Sequence, residues 1–294
     1  MQSRHSKATI ISMAVVSMGL AALLHEGLGH GVTAWLRGDV VTQLTSNHLS
    51  NDQPDRFVEA GGTIVNVFTG AIALLLGSRA RPNLRYFLCL FAAVSLLDSA
   101  GYLLYSGIIG VGDWAAVVAG LHHQAALRTS MSIFGAGFYY LCVNWIAISL
   151  RPFIATRSEF NTVGRLPYLA ACIFYCIAGA FDPLGIKLLF LSTIPAAFGG
   201  LSGMLWADGL LPKAVPAEPL TVEPSPMWWW TAVIFGLAFV AVLGRGINFQ
   251  PLMLYMDGPI TARPACHYFI GGPGVPSDHS LAKTKNVVTP CSWS

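Results

Sequence analysis

Two histidines and a glutamate, His25, Glu26 and His30, fall within six positions in the stretch Leu23-Leu24-His25-Glu26-Gly27-Leu28-Gly29-His30-Gly31. They close a long apolar run that begins near Ala8. An ionisable side chain inside such a run is costly to bury, so its presence points to a functional site. Neutral imidazoles suit zinc, and two His at i and i+4 on one helix face, with Glu beside the first, make the familiar zinc-hydrolase signature. A third protein ligand then leaves a position open for water, whose pKa zinc lowers to about 7, and the adjacent Glu takes the proton.

Here the two His stand at i and i+5. Five positions on a regular α-helix turn the side chain by about 140°, against about 40° for four. A regular helix would therefore point the rings apart, whereas a single-turn π-bulge brings i and i+5 together. Gly27 and Gly29 supply the local permissiveness such a bulge needs. A narrower alternative takes Glu26 and His30, at i and i+4, as the ligand pair and loses the general base. If no metal is held, His25 and Glu26 would hydrogen-bond within a helical bundle.

The elements that must carry these residues follow from composition. Of 294 residues 54% are hydrophobic and only 11% charged, with a mean hydropathy of +0.59. A soluble domain carries about 25% charged residues, so the chain reads as an all-α polytopic membrane protein. A net charge of +3 without a basic, aromatic-interleaved stripe excludes nucleic acid as a partner. A spanning helix needs about 20 apolar residues, which predicts seven spans. They run at about 8–36, 62–77, 86–105, 131–150, 166–181, 184–206 and 227–243, the last opened by the interfacial belt Trp228-Trp229-Trp230. Arg4 and Lys7 before an apolar stretch resemble a signal peptide. The length of that run, and the chemistry at its far end, make it a retained first span.

Between the first two spans lies a polar stretch, Arg37 to Glu59, in which Val40–Thr45 has the β-branched content of a short strand. A Gly-rich segment, Ser106 to Trp114, leads into a short helix through Leu121. Arg79, Arg81, Arg85, Arg151, Arg157 and Arg165 share one side with Arg4 and Lys7, which the positive-inside rule makes cytoplasmic. The N-terminus is then inside, in a bacterial-type inner or plasma membrane.

Other polar residues have plainer readings. Cys89, Cys142, Cys172 and Cys176 pack as small hydrophobes. His122 and His123 end the short helix at an interface, His48 is a solvated loop residue, and Asp182-Pro183 is a plain turn. Tyr139, Tyr140, Trp145 and Trp206 pack or line an interface. Cys266 and Cys291 lie in a polar tail where a disulfide is possible outside the cytoplasm. With His267 and His279 their spacing is unlike a zinc ribbon.

At this point the chain resembles the site-2 protease family of intramembrane zinc metalloproteases, over roughly residues 8–125. The resemblance rests on the His-Glu pair with its following Gly-His, and on Ala60-Gly61-Gly62-Thr63-Ile64-Val65-Asn66, similar to the family's Ala-Gly-Pro-x-x-Asn element. It rests also on an Asp on or just past the third core span. Gly62 stands for the family's Pro, and Asn66 comes one position late. The resemblance implies a short re-entrant β-rich segment at 37–59, zinc as cofactor, Glu26 as general base, and His25, His30 and one Asp as ligands. Asn66 would position the substrate. Two aspartates compete as third ligand: Leu97-Asp98-Ser99 resembles the family's Leu-Asp-Gly, and Gly112-Asp113-Trp114 follows the Gly-rich segment. His30 lies roughly 34 Å along its helix from Lys7 and Asp98 only about 20 Å from Arg85; depth favours Asp113, with Asp98 as the alternative.

The expected architecture is a metallopeptidase core at 1–125, additional transmembrane helices at 126–246, and a polar Gly/Pro-rich tail at 247–294. The expected activity is hydrolysis of peptide bonds within or beside the lipid bilayer, in a membrane-protein or transmembrane-peptide substrate. Two alternatives stand beside it. One is a catalytically silent relative acting as a membrane assembly or binding factor. The other is a transporter using Glu26, His25 and Asp98 as a proton relay, for which paired interrupted spans in matching halves are missing.

Overall fold

The structure is a computed structural model that describes residues 4–249, apart from Pro54 and Val215. Among the described residues, seven helices are long and apolar enough to cross a membrane. They are α1 (Lys7–Arg37), α2 (Arg56–Gly77), α3 (Pro82–Ile109), α5 (Gln124–Phe153), α6 (Arg157–Gly179), α7 (Ile186–Leu210) and α8 (Pro226–Gly244). A short helix, α4 (Asp113–Val118), lies between α3 and α5. Three strands complete the fold: β1 (Val41–Leu44), β2 (Leu49–Asn51) and β3 (Ile247–Asn248).

The order in space follows from burial. Every residue of α3 from Cys89 to Leu97 is buried, as expected of a helix that is apolar on all faces. Around it pack α1, α2 and α5, and Gly70 of α2 lies so close that a β-carbon there would meet Leu96 at 2.9 Å. On the other side of α1 stand α6 and α8, where Gly19 admits the rings of Phe235 and Phe174.

Several ends lie beyond their sequence limits because polar caps extend the helices past the apolar run. Asp55 caps α2, accepting from the Phe57 N–H, so that helix starts at Arg56 rather than Gly62. Pro82 opens α3 and Gly110, at φ +78°, closes it. The sixth span is not one regular helix. Pro195, which lacks an N–H, and the pair Gly199-Gly200 break α7 into α, π and 3-10 turns.

One end of the bundle gathers the N-terminus and the basic loops. Arg4 pairs with Glu159 at 3.2 Å, the Ser6 N–H donates to the Val222 carbonyl, and Asn83 accepts from the Glu223 N–H. At the other end sits the sheet, antiparallel in the order β2-β1-β3. In β3, Ile247 and Asn248 pair with Leu44 and Gln43 and so tie the end of α8 to the segment after α1. The tail residues Cys266, His267, His279 and Cys291 lie outside the described residues.

Two loop expectations are corrected here. His48 is not simply solvated: its ring meets the Thr45 hydroxyl at 2.9 Å and the Asp182 carboxylate at 3.4 Å. Asp182 is more than part of a plain turn, since its side chain is wholly buried and also receives Asn47 Nδ2 at 3.4 Å. Together they fasten the β1–β2 loop onto the turn between α6 and α7. Cys172 packs in the core as expected, and the exposed His122 and His123 stand at the start of α5.

Candidate metal centre

Within α1 the backbone from Leu24 to Gly31 is π-helical. The wider turn brings His25 and His30 onto one face, with ring centroids 4.8 Å apart. Potential ligand atoms of His25, Glu26 and His30 all lie within 4.8 Å of one another, and all three residues are buried. His25 therefore shares the point reached by Glu26 and His30, and the narrower two-ligand alternative is not forced by geometry.

Asp113 arrives from another part of the chain. Gly110 and Gly112, at φ +78° and +94°, hold backbone conformations that favour glycine, and they turn the chain sharply after α3. Asp113 Oδ2 then lies 3.1 Å from His25 Nε2 and 3.4 Å from His30 Nε2. Trp114 Nε1 donates to Thr63 Oγ1 at 3.1 Å, and Arg56 donates to the Ala119 carbonyl at 2.8 Å, so α4 is fastened to α2 at both ends. Burial alone would raise the Asp113 carboxyl; the facing imidazoles outweigh it and hold the group below the usual carboxylate range.

Two observations test whether these groups suit a cation. His30 Nδ1 is 2.6 Å from the Val58 carbonyl, which can only accept, so Nδ1 carries a proton and Nε2 is the nitrogen turned to Asp113. A carboxylate facing that nitrogen calls for a positive charge between them, supplied by a proton or by a metal ion. The second is Gly62. A β-carbon built there would lie 2.6 Å from His30 Nε2 and touch His25 Nε2 as well, so glycine keeps open the space in front of both nitrogens. Two imidazoles and a carboxylate, with a fourth position open, form the donor set of a catalytic zinc site. The residues present fit the ion.

Glu26 Oε2 lies 3.9 Å from His30 Nε2 and, though buried, has no hydrogen-bond partner among the described residues. Behind it a narrow cavity lined by His25, Glu26, Asn47, Asp98, Tyr102 and Tyr175 has room for about one water. Asp98, the other sequence candidate, sits on the opposite side of His25: its Oδ2 is 4.0 Å from Nδ1. Asn66 Nδ2 stands between them, 3.3 Å from His25 Nδ1 and 3.4 Å from Asp98 Oδ2. Asn66 Oδ1 is buried without a hydrogen-bond partner among the described residues.

Comparison with known proteins finds no matching family model, curated relative or solved structure. The chemistry must stand on this chain's own geometry.

That geometry includes groups the sequence did not mark. The Val58 carbonyl is a backbone atom with no sequence signature. Gly62 was visible only as a departure from the family's Pro. β2 also approaches the π-helical turn: a β-carbon at Gly31 would meet Leu49 Cδ1 at 3.5 Å, and β2 is an outer strand of the sheet.

Proposed function

We propose that the chain is a multi-pass membrane protein and a zinc metallopeptidase of the site-2 protease type, its core within residues 1–125, cleaving peptide bonds within or next to the bilayer. The observation that carries this reading is the convergence of His25, His30 and Asp113, 88 residues from His25, beside Glu26, whose buried Oε2 has no hydrogen-bond partner among the described residues. The seven apolar helices support the membrane assignment. The basic loops sharing an end with Arg4 favour a cytoplasmic N-terminus.

In this reading His25, His30 and Asp113 would hold zinc, which would supply Lewis-acid polarisation of the scissile carbonyl and acidify the attacking water. Glu26 takes the water's proton at Oε2 and returns it to the leaving amide nitrogen. Its lack of a hydrogen-bond partner keeps that oxygen free for the transfer. Asn66 Oδ1, equally unpartnered, accepts from a substrate backbone N–H and so orients the peptide. A spanning helix hides its peptide bonds in internal hydrogen bonds, so the substrate must unwind before cleavage. The free edge of β2 beside the π-helical turn offers the unwound segment a strand to join.

The test is metal content of the detergent-purified protein, measured by plasma mass spectrometry beside a His25→Ala/His30→Ala variant. About one zinc per chain, the stoichiometry of a single catalytic site, lost in the variant, supports the reading. Glu26→Gln should then keep zinc and lose cleavage of transmembrane peptides. Zinc binding without Glu26-dependent cleavage would favour a silent binding factor, and no zinc after reloading would end the metallopeptidase reading.

A further inference from the structure

The two aspartates that compete in the sequence lie on opposite sides of one ring. Asp113 faces His25 Nε2 at 3.1 Å, and Asp98 faces Nδ1 at 4.0 Å. We propose that Asp98, held in place by Asn66, is a positioning residue that accepts a hydrogen bond from the His25 proton at Nδ1 when Nε2 is given to the metal. This inference rests on the metal reading above and assigns Asp98 a role apart from ligation.

The Val58 carbonyl, 2.6 Å from His30 Nδ1, holds a proton on that nitrogen. A metal-binding imidazole almost always donates its other N–H to a carbonyl, carboxylate or water, which fixes ring orientation and raises ligand basicity. Among the described residues, no such carbonyl stands at His25 Nδ1. What faces that nitrogen is Asn66 Nδ2, a donor, and beyond it the Asp98 carboxylate. As the groups stand, Nδ1 accepts from Asn66, and the ring's one proton sits on Nε2 and is donated to Asp113. A cation at Nε2 displaces that proton, and the neutral ring must then carry it on Nδ1. Asn66 can no longer donate there. Its Nδ2 keeps its hydrogen bond to Asp98 Oδ2, and the carboxylate closes by roughly 1 Å to hydrogen-bond distance of the new donor.

Burial makes the choice of residues telling. Asn66 is 1% exposed and the Asp98 side chain 16%, deep in a helix that is otherwise apolar. A carboxylate there is expensive unless it is paired. Ser99, the neighbour a plain bundle contact would use, donates instead to the Ser95 carbonyl at 2.7 Å. The Asp98 carboxylate accepts from Asn66 Nδ2 at 3.4 Å and has His25 Nδ1 at 4.0 Å.

The experiment measures zinc affinity of the full-length protein in detergent by competition with a chelator, and the visible spectrum of the cobalt-loaded protein. The variants are Asp98→Ala, Asp98→Asn, Asp98→Glu and Asn66→Ala, with Asp113→Ala as the ligand control and thermal melting as the check on folding. Loss of a partner behind a ligand typically costs 10- to 100-fold in affinity. Asp98→Ala, Asp98→Asn and Asn66→Ala should each weaken zinc by about that range, with Asp98→Glu recovering part of it. The cobalt spectrum of these variants should keep the wild-type coordination, while Asp113→Ala changes it. Unchanged affinity in Asp98→Ala and Asp98→Asn overturns the proposal, and so does a cobalt spectrum showing a lost ligand, which would make Asp98 the ligand itself. A wild-type chain that binds no zinc overturns the metal reading first and this inference with it. Wild-type binding with indifferent Asp98 variants overturns this inference alone.

Discussion

Asp113 Oδ2 lies 3.1 Å from His25 Nε2, joining the turn after α3 to the π-helical stretch of α1. Its second imidazole contact, to His30 at 3.4 Å, makes Asp113 the carboxylate that faces both rings. Asp113→Ala removes one of three donors and should lower zinc affinity more than the 10- to 100-fold expected for a partner behind a ligand. Chelator competition on the purified protein checks this. Affinity within a factor of a few of wild type would exclude Asp113 as a ligand.

Gly62 makes a sharper prediction, because it has no side chain to lose. Gly62→Ala would place a methyl group against both Nε2 atoms, where an ion between them must sit. Zinc should be lost. Overpacking of a close helix pair costs about 1–3 kcal/mol, so melting should fall as well. Gly61→Ala is the control: its β-carbon strikes the Gly29 carbonyl and Thr33 Oγ1 at 2.7 Å, and no histidine nitrogen is among its nearest atoms. It should destabilise the chain while sparing metal. Equal zinc loss in both variants would show that helix separation, and not occupation of the site, is responsible.

What the sequence made legible was local. The i, i+5 spacing of His25 and His30 with two intervening glycines predicts a wider turn, and the π-helix is there. Gly110 and Gly112 mark the chain reversal that brings Asp113 inward. The seven apolar runs were legible in the same way, although helix ends set by caps, such as Asp55 before α2, fell outside them. Long-range polar pairing was not legible. Asn47 and Asp182 stand 135 positions apart, and each alone looks like a loop residue. The strand at Ile247–Asn248 is two residues long and takes its character from β1 rather than from its own sequence. Asp98 was read as a rival of Asp113 because spacing along a chain cannot say which side of a ring a carboxylate approaches.

The π-helical turn itself can be tested by shortening it. Deleting Gly27 leaves His-Glu-Leu-Gly-His, which places the two histidines at i and i+4 on a regular α-helix. The flanking helix keeps its register if the bulge alone is absorbed. Removing a glycine from a helix interior also relieves roughly 1 kcal/mol of propensity cost. The deletion should therefore retain about one zinc per chain, the stoichiometry of a single site, with melting equal to or above wild type. Metal lost with melting unchanged would show that the π geometry is itself needed to aim the rings at Asp113.

The fastening of the β1–β2 loop onto the α6–α7 turn predicts a defined pH dependence. Burial pushes the Asp182 carboxyl up from its ordinary value of 3.8, but the His48 ring and the Leu184 N–H, 2.9 Å away, outweigh it and hold the group below that value. A carboxyl with a lowered folded pKa stabilises the fold above its unfolded pKa, and that contribution fades as pH falls through the folded value. Asp182→Asn removes the charge, weakens the link to His48 and should cost about 1–3 kcal/mol at neutral pH, the range for a disturbed buried polar contact. Melting temperatures of wild type and variant should differ at pH 7, and the gap should begin to close near pH 4 and go on closing as the pH falls through the lowered folded value. His48→Ala should show the same convergence, because it breaks the same pair from the other side. A gap that stays constant down to acid pH would mean that Asp182 contributes through packing and its contact with the Leu184 N–H alone, and the loop would then owe nothing to the charge of its partner.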